Sequence, residues 1–283
     1  MPGFSRFAQA NVLVDSHTNH FMSTLTITTI QTNLLWEEKS ANLRLLEEKI
    51  AAIENKTEIV ILPEMFTTGF SMNPSAFAET MDGETMEWMK RVSKENGIVL
   101  TGSVMIEEEG KYYNRLIWML PNGEFGYYNK RHLFAYGEED KHYTGGNKRL
   151  IASVKGWKIN LQVCYDLRFP VWARQQSSET APEYDLLIYV ANWPERRSHA
   201  WKTLLCARAI ENQCYVVGVN RVGTDGNNIY HSGNSLVIDP LGQVLYHMAD
   251  EEDINTITLF KAKLDETREK FPFWKDADAF GLQ

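Results

Sequence analysis

Apolar and polar positions alternate through residues 25–31, LTITTIQ, and a period of two predicts a strand. The period then changes. Trp36, Leu43, Leu46, Ile50 and Ile53 fall at helical spacing within residues 34–54. Residues 59–62, IVIL, are apolar throughout, as in a strand buried on both faces, and Pro63-Glu64 ends the run. Residues 84–95 predict a second helix closed by Asn96-Gly97, and IVLTGSV (98–104) predicts another strand. YYNRLIWML (112–120) and EFGYYNK (124–130) flank Pro121-Asn122-Gly123, a hairpin signal.

The strand predicted over 157–164 ends on a cysteine, and Pro170 opens what reads as a helix. YDLLIYVAN (184–192) stops at Trp193-Pro194. A helix follows over 197–213, then a strand over 214–220, CYVVGVN. SLVIDP and QVLYHM flank a turn at Pro240-Leu241-Gly242, and INTITLF (254–260) is the last predicted strand. The tail EKFPFWKDADAF is too apolar to float free and is expected to lie on a surface. No solenoid period and no linker divides the chain, so the pattern predicts one layered α/β domain with mixed sheets. Residues 1–22 lack periodicity, and Met22 stands directly before the first strand. They read as an N-terminal extension, with the domain at 23–283.

Composition narrows the class. The 283 residues are 43% hydrophobic and 23% charged, as in a soluble globular protein large enough for a sizeable core. A net charge of −8 argues against a nucleic-acid surface. No apolar run approaches a membrane span, and no signal-peptide pattern opens the chain. Three cysteines, Cys164, Cys206 and Cys214, have no framework spacing and fit a reducing cytoplasm.

The chemistry gathers at predicted strand ends, where α/β sheets place ligands. Cys164 ends one strand and precedes a helical turn, which favours thiolate and leaves backbone N–H groups of Tyr165 and Asp166 as oxyanion donors. Glu64 follows an apolar strand and a proline, a partly desolvated place that suits a general base. Lys130 ends the hairpin and is a point cation for a developing oxyanion. Taken singly, each has an ordinary reading: a buried cysteine, a loop glutamate, a surface lysine. None of the seven histidines sits in a signature tied to Cys164. HExxH, CxxC and EF-hand patterns are absent, and TGGNK and GTDGNN lack phosphate-loop spacing, so neither metal nor cofactor is expected.

In that order, ILPEMFTTGF (61–70), YYNKRHLF (127–134) and LQVCYDLRFP (161–170) resemble the glutamate, lysine and cysteine blocks of the nitrilase superfamily of carbon–nitrogen hydrolases. ARAIENQCYVVGVNRVG (207–223) resembles a further segment. The resemblance implies an α-β-β-α sandwich that stacks as a homodimer or higher oligomer, acts on a small-molecule amide and uses no cofactor. It implies Glu64 as base, Cys164 as nucleophile, and Lys130 with the Tyr165 N–H at the oxyanion. A second glutamate follows the lysine block in many members, and Glu139 fits it better than Glu138. VCYDLRFPVWARQ, NWPERRSHAW and REKFPFWKDADAF resemble the bacterial ω-amidase branch, whose members deamidate 2-oxoglutaramate and 2-oxosuccinamate. Those substrates carry a carboxylate, which Arg196, Arg197 or Arg221 could meet bidentately. Phe66, Tyr136 and Trp193 could wall the pocket, with core packing as their alternative. An N-carbamoyl hydrolase, a nitrilase or a silent scaffold homologue are the competing readings.

Overall fold

The predicted alternation over 25–31 forms β1 (Thr24–Gln31) in the computed structural model, which describes residues 23–176 and 181–281. The extension expected at 1–22 lies outside the described residues. Along the first half of the chain follow α1 (Lys39–Ala51), β2 (Ile59–Ile61), the single turn α2 (Pro74–Phe77) and α3 (Glu84–Asn96). Then come β3 (Val99–Glu108), β4 (Lys111–Met119), β5 (Phe125–Asn129) and the single turn α4 (Glu139–His142). The second half holds β6 (Ile151–Val154), β7 (Trp157–Val163), α5 (Pro170–Ala173), β8 (Leu186–Ala191), α6 (Ser198–Asn212) and β9 (Tyr215–Asn220). It closes with β10 (Val222–Thr224), β11 (Tyr230–Ile238), β12 (Val244–Ala249), β13 (Asp253–Phe260) and α7 (Lys261–Lys270).

Two mixed sheets result. One runs β13-β1-β2-β3-β4-β5, the other β10-β11-β9-β8-β7-β6 with β12 paired to β11. The parallel centres are β1-β2-β3 and β7-β8-β9. On the outer antiparallel pair, Thr26 and Thr28 meet Thr258 and Thr256 through hydroxyl hydrogen bonds of 2.9 and 2.8 Å.

Alternation decides the layers. Leu25, Ile27, Ile59 and Ile61 share one core with Ile159, Leu161 and Val163, so these faces of the two sheets meet. Val60 and Leu62 point the other way, onto Leu43 and Leu46 of α1 and Trp88 and Met89 of α3. On the far side α6 packs Trp201 and Leu205 against β9. Gly218 permits this approach, because a Cβ there would come 2.5 Å from Leu205 and 2.7 Å from Trp201. The order is helix, sheet, sheet, helix, the four-layer α-β-β-α sandwich in one domain.

Two differences from the pattern are physical. The helix expected at Pro170 is one turn long. The sequence pattern gives no sign of α7, because among its ten residues only Leu264, Thr267 and Arg268 are buried, and one apolar side chain makes no stripe. The tail beyond it is held where Trp274 N–H donates to Gln213 Oε1 at 3.0 Å and Gln213 Nε2 donates to the Phe271 carbonyl at 2.6 Å.

Candidate active site

Parallel strands deliver the chemistry to one end of the sandwich. Glu64 follows β2, Cys164 follows β7 and Asn192 follows β8, while Lys130 leaves the antiparallel β5 toward the same point. Lys130 Nζ donates to Glu64 Oε1 at 2.9 Å and to Glu139 Oε2 and Oε1 at 2.8 and 3.0 Å. All three side chains are buried. The Cys164 thiol lies beside them, within the electrostatic reach of Glu64, Lys130 and Glu139. Residues 64, 130, 139 and 164 are therefore one cluster. Glu138, the neighbouring candidate, takes a left-handed φ of 62° and pairs with Lys141 at the surface.

Two carboxyl groups face one ammonium in this floor. Burial opposes the Lys130 ammonium, but the charges of Glu139 and Glu64 hold its pKa above the ordinary value. Burial pushes the Glu139 carboxyl up, against the pull of Lys130. The Cys164 thiol is pushed well up, by burial first and by the Glu64 charge next, with Lys130 opposing. The resting sulfur is thus a thiol that needs a base, not a standing thiolate.

The nucleophile sits on a strained turn. Cys164 has φ 46°, a conformation that costs a non-glycine residue about 1–3 kcal/mol. Asp166 holds the turn: its Oδ2 accepts from the Val163 N–H at 3.0 Å and the Tyr128 hydroxyl at 2.8 Å, and its Oδ1 from the His132 N–H at 2.9 Å. Met65, beside Glu64, is at φ 44°, and its N–H donates to Ser103 Oγ at 2.9 Å.

Above the floor opens a cavity of about 190 Å³, into which Cys164 faces while remaining only 9% exposed. Tyr136, Tyr165, Trp193, Arg196 and Arg197 line it, as does Arg168, for which no role was expected. His231, in the wall, is driven down to about 4 by burial and then by Arg221, so it is neutral at neutral pH.

Two expectations are corrected. Phe66 is fully buried in the core, its ring tilted 42° to that of Trp88 with centroids 5.9 Å apart, over Gly102, where a Cβ would come within 2.7 Å of its ring. Arg221 is buried behind the wall. It donates to Asn33 Oδ1 at 2.8 Å and to the Leu34 and Val222 carbonyls, so it bridges chain segments and is not among the lining residues.

The carbon–nitrogen hydrolase family model matches residues 26–269. The chain belongs to the carbon–nitrogen hydrolase family. It is 43% identical, over 92% of its length and 100% of the relative's, to omega-amidase YafV of Escherichia coli. It is 32% identical to 2-oxoglutaramate amidase of Bacillus subtilis, over 89% of this chain and 96% of that one. A solved carbon–nitrogen hydrolase superfamily protein of Xanthomonas campestris, with an arsenic adduct in its active site, superposes with a TM-score of 0.90. That match is 43% identical and covers 93% of this chain and 100% of the other.

In this carbon–nitrogen hydrolase two site residues escaped the sequence reading. Asn114 Nδ2 donates to both carboxylates, to Glu64 Oε1 at 2.8 Å and Glu139 Oε1 at 3.1 Å. Asn192 donates its N–H to Glu64 Oε2 at 2.8 Å and its amide to the Glu64 carbonyl at 2.6 Å. A lone polar residue inside the strand YYNRLIWML was the available signal for Asn114, since a buried amide needs partners. Among the described residues no cluster is arranged to hold a metal ion, and no helix is long and apolar enough to cross a membrane.

Proposed function

We propose that this carbon–nitrogen hydrolase is a thiol amidohydrolase of the ω-amidase type. It would cleave the terminal amide of a small dicarboxylate monoamide, such as 2-oxoglutaramate or 2-oxosuccinamate, and release ammonia. The observation that carries the reading is the thiol of Cys164, set beside the buried Glu64–Lys130–Glu139 cluster and facing a cavity rimmed by guanidinium groups. The names of the Escherichia coli and Bacillus subtilis relatives support the same substrate class.

The chemistry follows from the protonation states. Glu64 takes the Cys164 proton as the sulfur attacks the amide carbon. Lys130 and the Tyr165 N–H meet the oxyanion. One ammonium N–H shared by the two oxygens of Glu139 leaves another of the three for the substrate. Glu64 returns its proton to the leaving nitrogen, ammonia departs, and a thioester remains. A water then gives its proton to Glu64 and adds to the thioester, and the sulfur leaves and is reprotonated. Glu139 and Asn114 act as positioning residues for Lys130 and Glu64.

Assembly as a homodimer or higher oligomer and a cytoplasmic location belong to the same proposal. Light scattering tests the first. Three unpaired cysteines support the second. The experiment on function is ammonia release across a substrate panel. Turnover of 2-oxoglutaramate without turnover of nitriles or N-carbamoyl amines is expected. Preference for a nitrile or a carbamoyl amine would overturn the substrate class, and no turnover of any would overturn the enzyme.

A further inference from the structure

Three arginines crowd the mouth of the cavity. Arg168, Arg196 and Arg197, with Phe134, Tyr136 and Tyr165, also enclose an outer hollow of their own. Arg168 ends the 3-10 turn that begins at Cys164, so cation and nucleophile ride on one short piece of backbone. Its guanidinium lies 5.0 Å from the centre of the Trp193 ring, and that of Arg197 lies 5.0 Å from the centre of the Phe134 ring. Ring faces hold these groups in place without neutralising them.

The charges are otherwise unanswered. Arg149, Arg208 and Arg268 are paired with Glu183, Glu211 and Asp185. Among the described residues no carboxylate pairs with Arg168, Arg196 or Arg197. Burial, and then the like charges of Arg196 and Arg168, lower the pKa of Arg197, which nonetheless keeps its charge. Asp225 lines the inner cavity but not the outer hollow, and its Oδ1 is taken by the N–H groups of Asn227 and Ile229 at 2.8 and 3.0 Å. Against a net charge of −8 for the whole chain, this local excess of cations stands out at the mouth.

The cavity is therefore polarised. Its rim is cationic, and its floor sets two carboxyl groups, Glu64 and Glu139, against the single ammonium of Lys130. We propose that this polarity reads the two ends of the substrate: Arg168, Arg196 and Arg197 seat the free carboxylate, while the acidic floor admits the neutral amide and rejects a second carboxylate. Arg168 thereby becomes a specificity-determining residue. The inference rests on the ω-amidase reading and deepens it. It also gives the product a reason to leave, because hydrolysis turns the neutral end into a carboxylate facing Glu64 and Glu139.

Binding to Cys164→Ala, measured by calorimetry with glutarate monoamide, glutarate diamide and glutarate, tests this without turnover. The monoamide is expected to bind about 10- to 100-fold more tightly than the diamide, the range of a charge-assisted pair. Glutarate is expected to bind more weakly than the monoamide. Adding Arg168→Gln and Arg197→Gln should erase the preference for monoamide over diamide, and Arg→Lys at both positions should restore part of it. Equal binding of monoamide and diamide, or an equal loss for both in the Gln variant, overturns the seat. Glutarate binding as tightly as the monoamide overturns the role of the floor. Turnover of 2-oxoglutaramate by the unaltered enzyme without this preference overturns the seat alone. The preference without that turnover leaves the seat standing and contradicts the ω-amidase reading.

Discussion

Lys130 Nζ is held between two buried carboxylates, Glu64 and Glu139, so its loss acts in two ways. An oxyanion donor contributes about 2.7–4 kcal/mol to the barrier, and Lys130→Ala should lower kcat by about 10²–10³-fold with a smaller change in KM. Lost affinity with intact turnover would contradict its role. The same change leaves Glu64 and Glu139 buried without their counter-charge, and removing one partner of a buried pair typically costs about 3–5 kcal/mol. Circular dichroism of the variant separates the two effects. At this scale the sequence was informative where a residue's position along its element carried meaning. Glu64, Lys130 and Cys164 stand at strand ends, and Glu139 was favoured over Glu138 from a motif spacing. Asn114 and Asn192 act only through partners distant in the chain, 50 and 128 residues away from them at Glu64, and nothing local marks those partners. Phe66 and Arg221 failed as pocket residues because sequence adjacency to the site does not say which way a side chain points.

The helix that the hydrophobic pattern missed is docked by charge. Asp185, just before β8, accepts from Arg268 Nη1 at 2.9 Å and from the Lys158 N–H at 3.0 Å, and Lys261 pairs with it at 2.5 Å. Arg268 also donates to the Tyr184 and Gln213 carbonyls. A period-based reading sees apolar faces and is blind to a helix held this way. The strand ends, turns and the α6 helix carried clear signals and were found within a few residues, while the two short strands β6 and β10 had too few residues to show a period. Burial raises the pKa of Asp185, but Lys261 and its hydrogen bonds outweigh that and lower it overall. Its contribution to stability is therefore present above the ordinary Asp value of about 4 and is lost as pH falls through the lower folded value. Asp185→Asn should cost about 3 kcal/mol in urea unfolding at pH 7. That difference from the unaltered protein should shrink below pH 4. A constant difference across this range would contradict the charge-based docking of α7.

The whole molecule joins an acidic body to a cationic mouth. At physiological ionic strength the screening length is about 8 Å, so a rim whose Arg168 and Arg197 are half-buried retains part of its attraction for an anion while the distant surface loses its repulsion. For an anionic monoamide, kcat/KM should fall as salt rises from 50 to 500 mM, more steeply than for an uncharged amide. Equal slopes would contradict anion capture at the rim. A single layered α/β domain with mixed sheets was legible in the pattern, and the helix-sheet-sheet-helix order came with the family resemblance. Strand order was not, since β1 pairs with β13 across more than 200 residues and only the finished sheet defines that pair. The account turns on a thioester at Cys164. Rapid acid quench of the enzyme turning over 2-oxoglutaramate, followed by mass spectrometry, should find the acyl group on Cys164 and no ammonia from folded Cys164→Ala. Ammonia release that persists in that variant, with no adduct on the cysteine at any quench time, would contradict it.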